Sequence, residues 1–123
     1  MFARLRLRFS ERRLRPGGTI SGPTMFELAD VALYAAIIAE LGVGDDPARA
    51  QESRAALTVT TSFNINFLRR PPPADLIADA QLMKLGRRLA VGEAWLRSHG
   101  EADPVAHATA IYSLPPAQWG LRA

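Results

Sequence analysis

The sequence predicts an α+β fold, a long central helix wrapped by a curved antiparallel sheet. Three observations carry that prediction. Residues 23–41 form one long segment that is apolar on nearly every side. One alternating segment precedes it and four follow, and no helical pattern recurs between them. A helix that is apolar all round must be covered all round, so the sheet has to curve about it with help from a second subunit. The chain has 123 residues, 48% hydrophobic and 22% charged, enough for one core and too few for two. Residues 1–123 therefore read as a single domain.

Residues 3–9 place Ala3, Leu5, Leu7 and Phe9 on one face and Arg4, Arg6 and Arg8 on the other, a half-buried strand with a solvated back. "RPGGT" at 15–19 is a breaker-rich connection. Ser21 is suited to cap a helix, Pro23 to be its first residue, and Gly42 to end it after Leu41. A polar loop is expected at 42–55. In the strand at 57–68, Leu57, Val59, Thr61, Phe63, Ile65 and Phe67 share one face, while Thr58, Thr60, Ser62, Asn64 and Asn66 share the other. "RRPPPAD" makes a rigid corner. Strands follow at about 75–85, 88–98 and 104–114, and Ala106, Ala108 and Ala110 give the last of them a small-residue face that a helix can approach. Residues 115–123 form a short tail.

The absence of cysteine excludes disulfides, thiolate metal sites and cysteine nucleophiles. The N-terminus alternates charge with hydrophobicity and lacks the apolar core of a signal peptide. Glu27, Asp30 and Glu40 interrupt the helix too often for a membrane span. The expectation is a soluble cytoplasmic protein that engages no membrane. Fourteen arginines and one lysine against twelve acids give a net charge of +3. That balance favours anionic partners, although an arginine-rich composition accounts for it equally well. His99 and His107 lack the spacing of a metal site or of a Ser-His pair, and no metal or separate cofactor is expected. Phe63 and Phe67 read as core, and Trp95 and Trp119 as packing or interface residues.

Asp30 is the residue that needs an explanation. It lies two turns inside the helix, too deep to cap it or to feel its dipole strongly. A buried carboxylate costs several kcal/mol unless something pairs with it. A salt bridge to an arginine would satisfy it, as would a polar stripe shared with Glu27; so would a catalytic role. Gly22 stands at the predicted helix start, where a free backbone N–H can hold a developing oxyanion. An oxyanion donor and a carboxylate facing one cleft are the minimum for hydrolysing an activated ester.

"SGPTMFELAD" resembles the helix-entry motif of hotdog-fold acyl-CoA thioesterases of the phenylacetate-degradation type: His-Gly-Gly, six residues, then Asp or Glu. "INFLRRPPPADLIADAQLMKLGRRLAVGEAWL" is similar to that family's middle strands and "VAHATAIYSLP" to its last. The resemblance covers nearly the whole chain. It implies a hotdog fold and hydrolysis of an acyl-CoA to a free acid and coenzyme A, with coenzyme A part of the substrate. It makes Asp30 the catalytic carboxylate, attacking the thioester or activating water, and Gly22 the oxyanion donor. Thr60 would reach the site from the neighbouring subunit and orient the nucleophile. A homodimer or homotetramer is implied. Ser21 and Pro23 replace the His and the second Gly of the motif, and Arg15 stands where many members carry Asn.

Arg69, Arg70, Lys84, Arg87 and Arg88 fall beside strand ends and suit the phosphates of coenzyme A. A non-catalytic acyl-CoA-binding module is the alternative, favoured by the changes at Arg15, Ser21 and Pro23. Nucleic-acid binding through Arg4–Arg15 has no reader motif behind it, and the Asp-on-helix pattern argues against a hotdog dehydratase.

Overall fold

The computed structural model describes residues 2–42 and 58–115. Within them lie β1 (Phe2–Leu7), a 3-10 turn (Glu11–Arg13), β2 (Leu14–Arg15), β3 (Thr19–Ile20), α1 (Gly22–Leu41), β4 (Val59–Phe67), β5 (Leu76–Leu85), β6 (Leu89–Ser98) and β7 (Pro104–Ser113). The readings of residues 43–55, of Leu57 and of the tail with Trp119 fall outside the described residues. β2 and β3 pair across the breaker-rich turn. Gly17 and Gly18 there hold φ of 104° and 78°, a region closed to most side chains.

The main sheet has the order β1-β5-β6-β7-β4, and every neighbouring pair is antiparallel. α1 packs on β1, β5, β6 and β7, which leaves β4 at the margin. This is the hotdog arrangement, a helix lying in a curved sheet. Register breaks at 60/62 in β4, at 82/84 in β5 and at 96/97 in β6 bend the strands.

Ser21 caps the helix as its sequence suggests, accepting from the Thr24 backbone N–H at 3.3 Å. Gly22 rather than Pro23 is the first helical residue. Gly42 closes the other end at φ 75°, its N–H reaching Ile38 O at 2.7 Å. The helix buries Met25, Leu28, Ala29, Ala32, Leu33, Ala36 and Ile37 against the sheet. Leu33 and Ile37 are fully enclosed, worth about 1.5–3 kcal/mol each. Ala106, Ala108 and Ala110 are buried, so the small-residue face does what its size allows. Helix and sheet pack closely at Gly92, where a Cβ would sit 2.7 Å from Leu33 Cδ2.

The helix is not covered all round, however. Phe26 and Val31 remain 41% and 49% exposed, so one flank projects beyond the sheet of a single chain. On the sheet's outer face, Arg4 and Arg97 pair with Asp79, and Arg6 with Asp75. Those arginines serve the sheet, which removes much of the free positive charge from β1. No described helix is long and apolar enough to cross a membrane.

Candidate active site

The β4 register decides what surrounds Asp30. Phe63, Ile65 and Phe67 pair with Ala110, Ala108 and Ala106 and point toward the helix. Strict alternation would continue that face through Thr61 and Val59. Instead the ladder skips Thr61: Ser62 pairs with Ile111, and Thr60 with Tyr112. The bulge shifts the phase by one residue, so Thr60 turns inward beside buried Tyr112, and Val59 turns outward, 61% exposed. This corrects the face expected for both residues. Thr61 itself bonds Ile111 O at 3.1 Å.

Asp30 is half-buried and lines a hollow of about 130 Å³ with Val31, Tyr34, Thr58, Thr60 and Tyr112. Tyr112 donates its hydroxyl to Asp30 Oδ1 at 2.8 Å, and Thr60 Oγ1 lies 3.5 Å from the same oxygen. Hydroxyl groups surround the carboxylate, with no guanidinium among the described lining residues. The arginine partner considered for Asp30 belongs to Glu27 instead, 3.5 Å from Arg13 Nη1. Thr60 already meets Asp30 within one chain, where the resemblance implied a neighbouring subunit. Burial first, then the hydrogen bond to Asp30 and its charge, push the Tyr112 phenol far above its ordinary 10.0; the Thr60 hydroxyl pulls it the other way.

Tyr112 is the residue that sequence reasoning missed. Its signal was present, because it continues the inward parity of Ala106, Ala108 and Ala110 and ends that face in a hydroxyl.

Gly22 lies elsewhere. Eight residues at about 1.5 Å each put it about 12 Å along the axis from Asp30. As the first helical residue it keeps a backbone N–H without an intrahelical acceptor. Two cavities meet at it. One, about 460 Å³, is lined by Arg15, Thr19, Ile20, Met25, Phe67, Leu68, Arg69, Arg70 and Pro71. The other, about 420 Å³, is lined by Pro23, Phe26, Ile65 and Phe67. The Phe67 ring, 3.4 Å from where a Gly22 Cβ would stand, forms a wall between them. Phe67 is 52% exposed and lines both cavities, so it is not core; Phe63 packs on the core and against Phe26, ring centroids 4.1 Å apart.

One chain therefore does not bring Gly22 and Asp30 into one cleft. The cations divide as well. Arg69 and Arg70 follow β4 at the Gly22 end, and Arg69 is shared with Asp103 at 3.3 Å and Glu101 at 3.8 Å. Lys84, Arg87 and Arg88 lie at the β5–β6 hairpin, at the opposite end of the sheet. A ten-residue strand separates the groups by on the order of 30 Å. Trp95 is 44% exposed on the outer face and stacks on His107, centroids 4.0 Å apart.

The sequence pattern of the thioesterase superfamily matches residues 17–105. A candidate thioesterase from Silicibacter sp. TM1040 is 48% identical, with 94% of this chain and 73% of that one covered at a TM-score of 0.78. The E. coli PaaI protein from the phenylacetic acid degradation operon shares the fold at 19% identity, covering 94% and 74% with a TM-score of 0.74. A phenylacetic acid degradation-related protein from Ralstonia eutropha JMP134 does so at 22%, covering 91% and 75% with a TM-score of 0.74. No curated protein matches.

Proposed function

The chain belongs to the thioesterase superfamily, and we propose that it hydrolyses acyl-CoA thioesters to a free acid and coenzyme A. The observation that carries this reading is the Asp30 carboxylate, seated in a hydroxyl-lined hollow with one oxygen held by Tyr112. A carboxylate with its second oxygen open to such a hollow is placed to act as a nucleophile or as a general base.

The site is completed by two copies of the chain. Reacting groups must lie about 3–3.5 Å apart, and the separation of Gly22 from Asp30 along one helix forbids that within a chain. β4 is a nine-residue strand at the sheet edge, with Val59, Phe67 and neighbouring Leu68 exposed. An edge of this kind invites pairing with another strand. Antiparallel pairing of two β4 strands about a two-fold axis sets the Phe67 end of one against the Val59 end of the other. Gly22 of one copy then approaches Asp30 of its mate, and Arg69 and Arg70 approach the mate's Lys84, Arg87 and Arg88. A homodimer is the least assembly that satisfies this, and a homotetramer contains it.

The thioester carbonyl accepts from the Gly22 N–H. Asp30 either bonds to the carbonyl carbon itself or takes a proton from a water whose oxygen does so. The C–S bond then breaks, its electron pair leaves on sulfur, and the thiolate is protonated. In the direct route water subsequently splits the resulting anhydride. Arg15, Arg69 and Arg70 suit the phosphates of coenzyme A, and the cavity of Pro23, Phe26, Ile65 and Phe67 suits an apolar acyl group.

The test is thiol release from a panel of aliphatic and aryl acyl-CoAs, phenylacetyl-CoA included. Turnover by the wild type and its loss in Asp30→Asn, with folding and oligomer size unchanged, are expected. An Asp30→Asn variant as fast as wild type removes the assignment. The exposed Arg15 beside Gly22 supports a second reading, a non-catalytic acyl-CoA-binding module; saturable binding without thiol release selects it.

A further inference from the structure

We infer that Tyr112 is a positioning residue that fixes Asp30 by its Oδ1 and thereby assigns Oδ2 as the reacting oxygen. The inference rests on the reading of Asp30 given above.

A carboxylate on a helix has two soft torsions and two equivalent oxygens, so without partners it offers either oxygen over a wide arc. Here the two are not equivalent. Oδ1 accepts from Tyr112 at 2.8 Å and has Thr60 Oγ1 at 3.5 Å. The Tyr112 hydroxyl also lies 3.4 Å from the Asp30 backbone oxygen, so it grips the side chain and its own helical turn together. Tyr112 is 2% exposed and held at both flanks by ladder pairs, with Thr60 in β4 and Ala90 in β6. Its ring cannot follow the carboxylate if the carboxylate swings. The donor is thus carried by the sheet and the acceptor by the helix, and the bond fixes one against the other.

The β4 bulge is part of the same device. It decides which threonine stands there: in an unbroken ladder Thr61 would pair with Tyr112, whereas the bulge puts Thr60 in that place and leaves the Thr61 hydroxyl on Ile111 O. Burial and the neighbouring carboxylate keep the Tyr112 phenol protonated, so it remains a donor and does not serve as a base.

The experiment is steady-state thiol release with the fastest acyl-CoA of the panel, comparing wild type, Tyr112→Phe, Asp30→Asn and Tyr112→Phe/Thr60→Val. Misplacing a reacting group by about 1 Å costs on the order of 100-fold, so Tyr112→Phe should lower kcat by about 10- to 100-fold. KM should stay within about twofold, because uniform substrate binding is untouched. The double variant should lose more than the single one. An unchanged kcat in Tyr112→Phe alongside a dead Asp30→Asn overturns the inference and leaves the reading of Asp30 intact. A rise in KM without a fall in kcat also overturns it. An active Asp30→Asn removes both. If Tyr112→Phe does not fold, 3-fluorotyrosine at position 112 keeps the shape and strengthens the donor. Its kcat should then change at constant KM and its fluorine resonance should move on Asp30→Asn; a kcat and resonance that ignore both changes overturn the inference.

Discussion

If each reaction centre takes Gly22 from one chain and Asp30 from another, two dead variants should revive each other. Asp30→Asn removes the carboxylate's charge. Gly22→Pro deletes the backbone N–H at a first helical position, where proline is accepted. The proline ring faces the Phe67 side chain, 3.4 Å from the Cβ position, a contact the exposed ring can relieve. Loss of one oxyanion donor costs about 10²–10³ in kcat, and each variant alone should be nearly silent. In a mixed dimer one centre carries both lesions and the other neither. Random reassortment makes half the dimers mixed, so the unseparated mixture should recover about a quarter of wild-type activity and the isolated mixed dimers about half. The assay is thiol release after co-expression with two affinity tags, the mixed dimers being isolated through both. Mixed dimers as inactive as their parents, with both parents folded, would refute the shared site and return Gly22 and Asp30 to one chain or to no common role.

Two further outcomes follow from packing and from protonation. Gly92→Ala places a methyl group 2.7 Å from Leu33 Cδ2 and 3.1 Å from Gln81 O; overpacking of this kind costs about 1–3 kcal/mol, read as a lower urea midpoint at unchanged m-value. An unchanged midpoint would mean that α1 moves away from β6 freely. Tyr112 has a folded-state phenol raised above its unfolded 10.0. The stability it adds is complete below pH 10 and declines as pH climbs toward the folded value. Urea midpoints at pH 9 and 11 should therefore fall less in Tyr112→Phe than in wild type. Among the described residues Asp30 and Tyr34 are the other ionisable groups in that hollow, and an equal fall in both proteins would show that Tyr112 ionises as easily folded as unfolded.

Element order was legible because its signals are local. Ser21, Gly42 and the five alternating stretches bound the helix and the five strands of the main sheet to within about two residues, while the short β2–β3 pair was read only as a connection. Alternation failed in β4, where the bulge at Thr61 depends on the ladder with β7 and leaves no mark in a run of threonines. The same reason hid Tyr112, whose meeting with Asp30 spans 82 residues of chain. The oddity of Asp30 was visible, since a lone carboxylate in an apolar helix stands out in any register. Its separation from Gly22 follows from helix rise alone and could have been reckoned from the spacing. The five cations looked like one group because strand ends are close in sequence at hairpins; the two ends of a sheet are not close in space.

The two cavities that meet at Gly22 also give the helix tip a polarity. Guanidinium groups stand on one side of the Phe67 ring and hydrocarbon on the other. A molecule with a charged head and an oily tail can lie across that tip only one way round. Reversed, it would strand its anion against Phe26 and Ile65, at a desolvation cost of several kcal/mol. Should such a guest bind there, the tip would set its direction before any bond is made or broken.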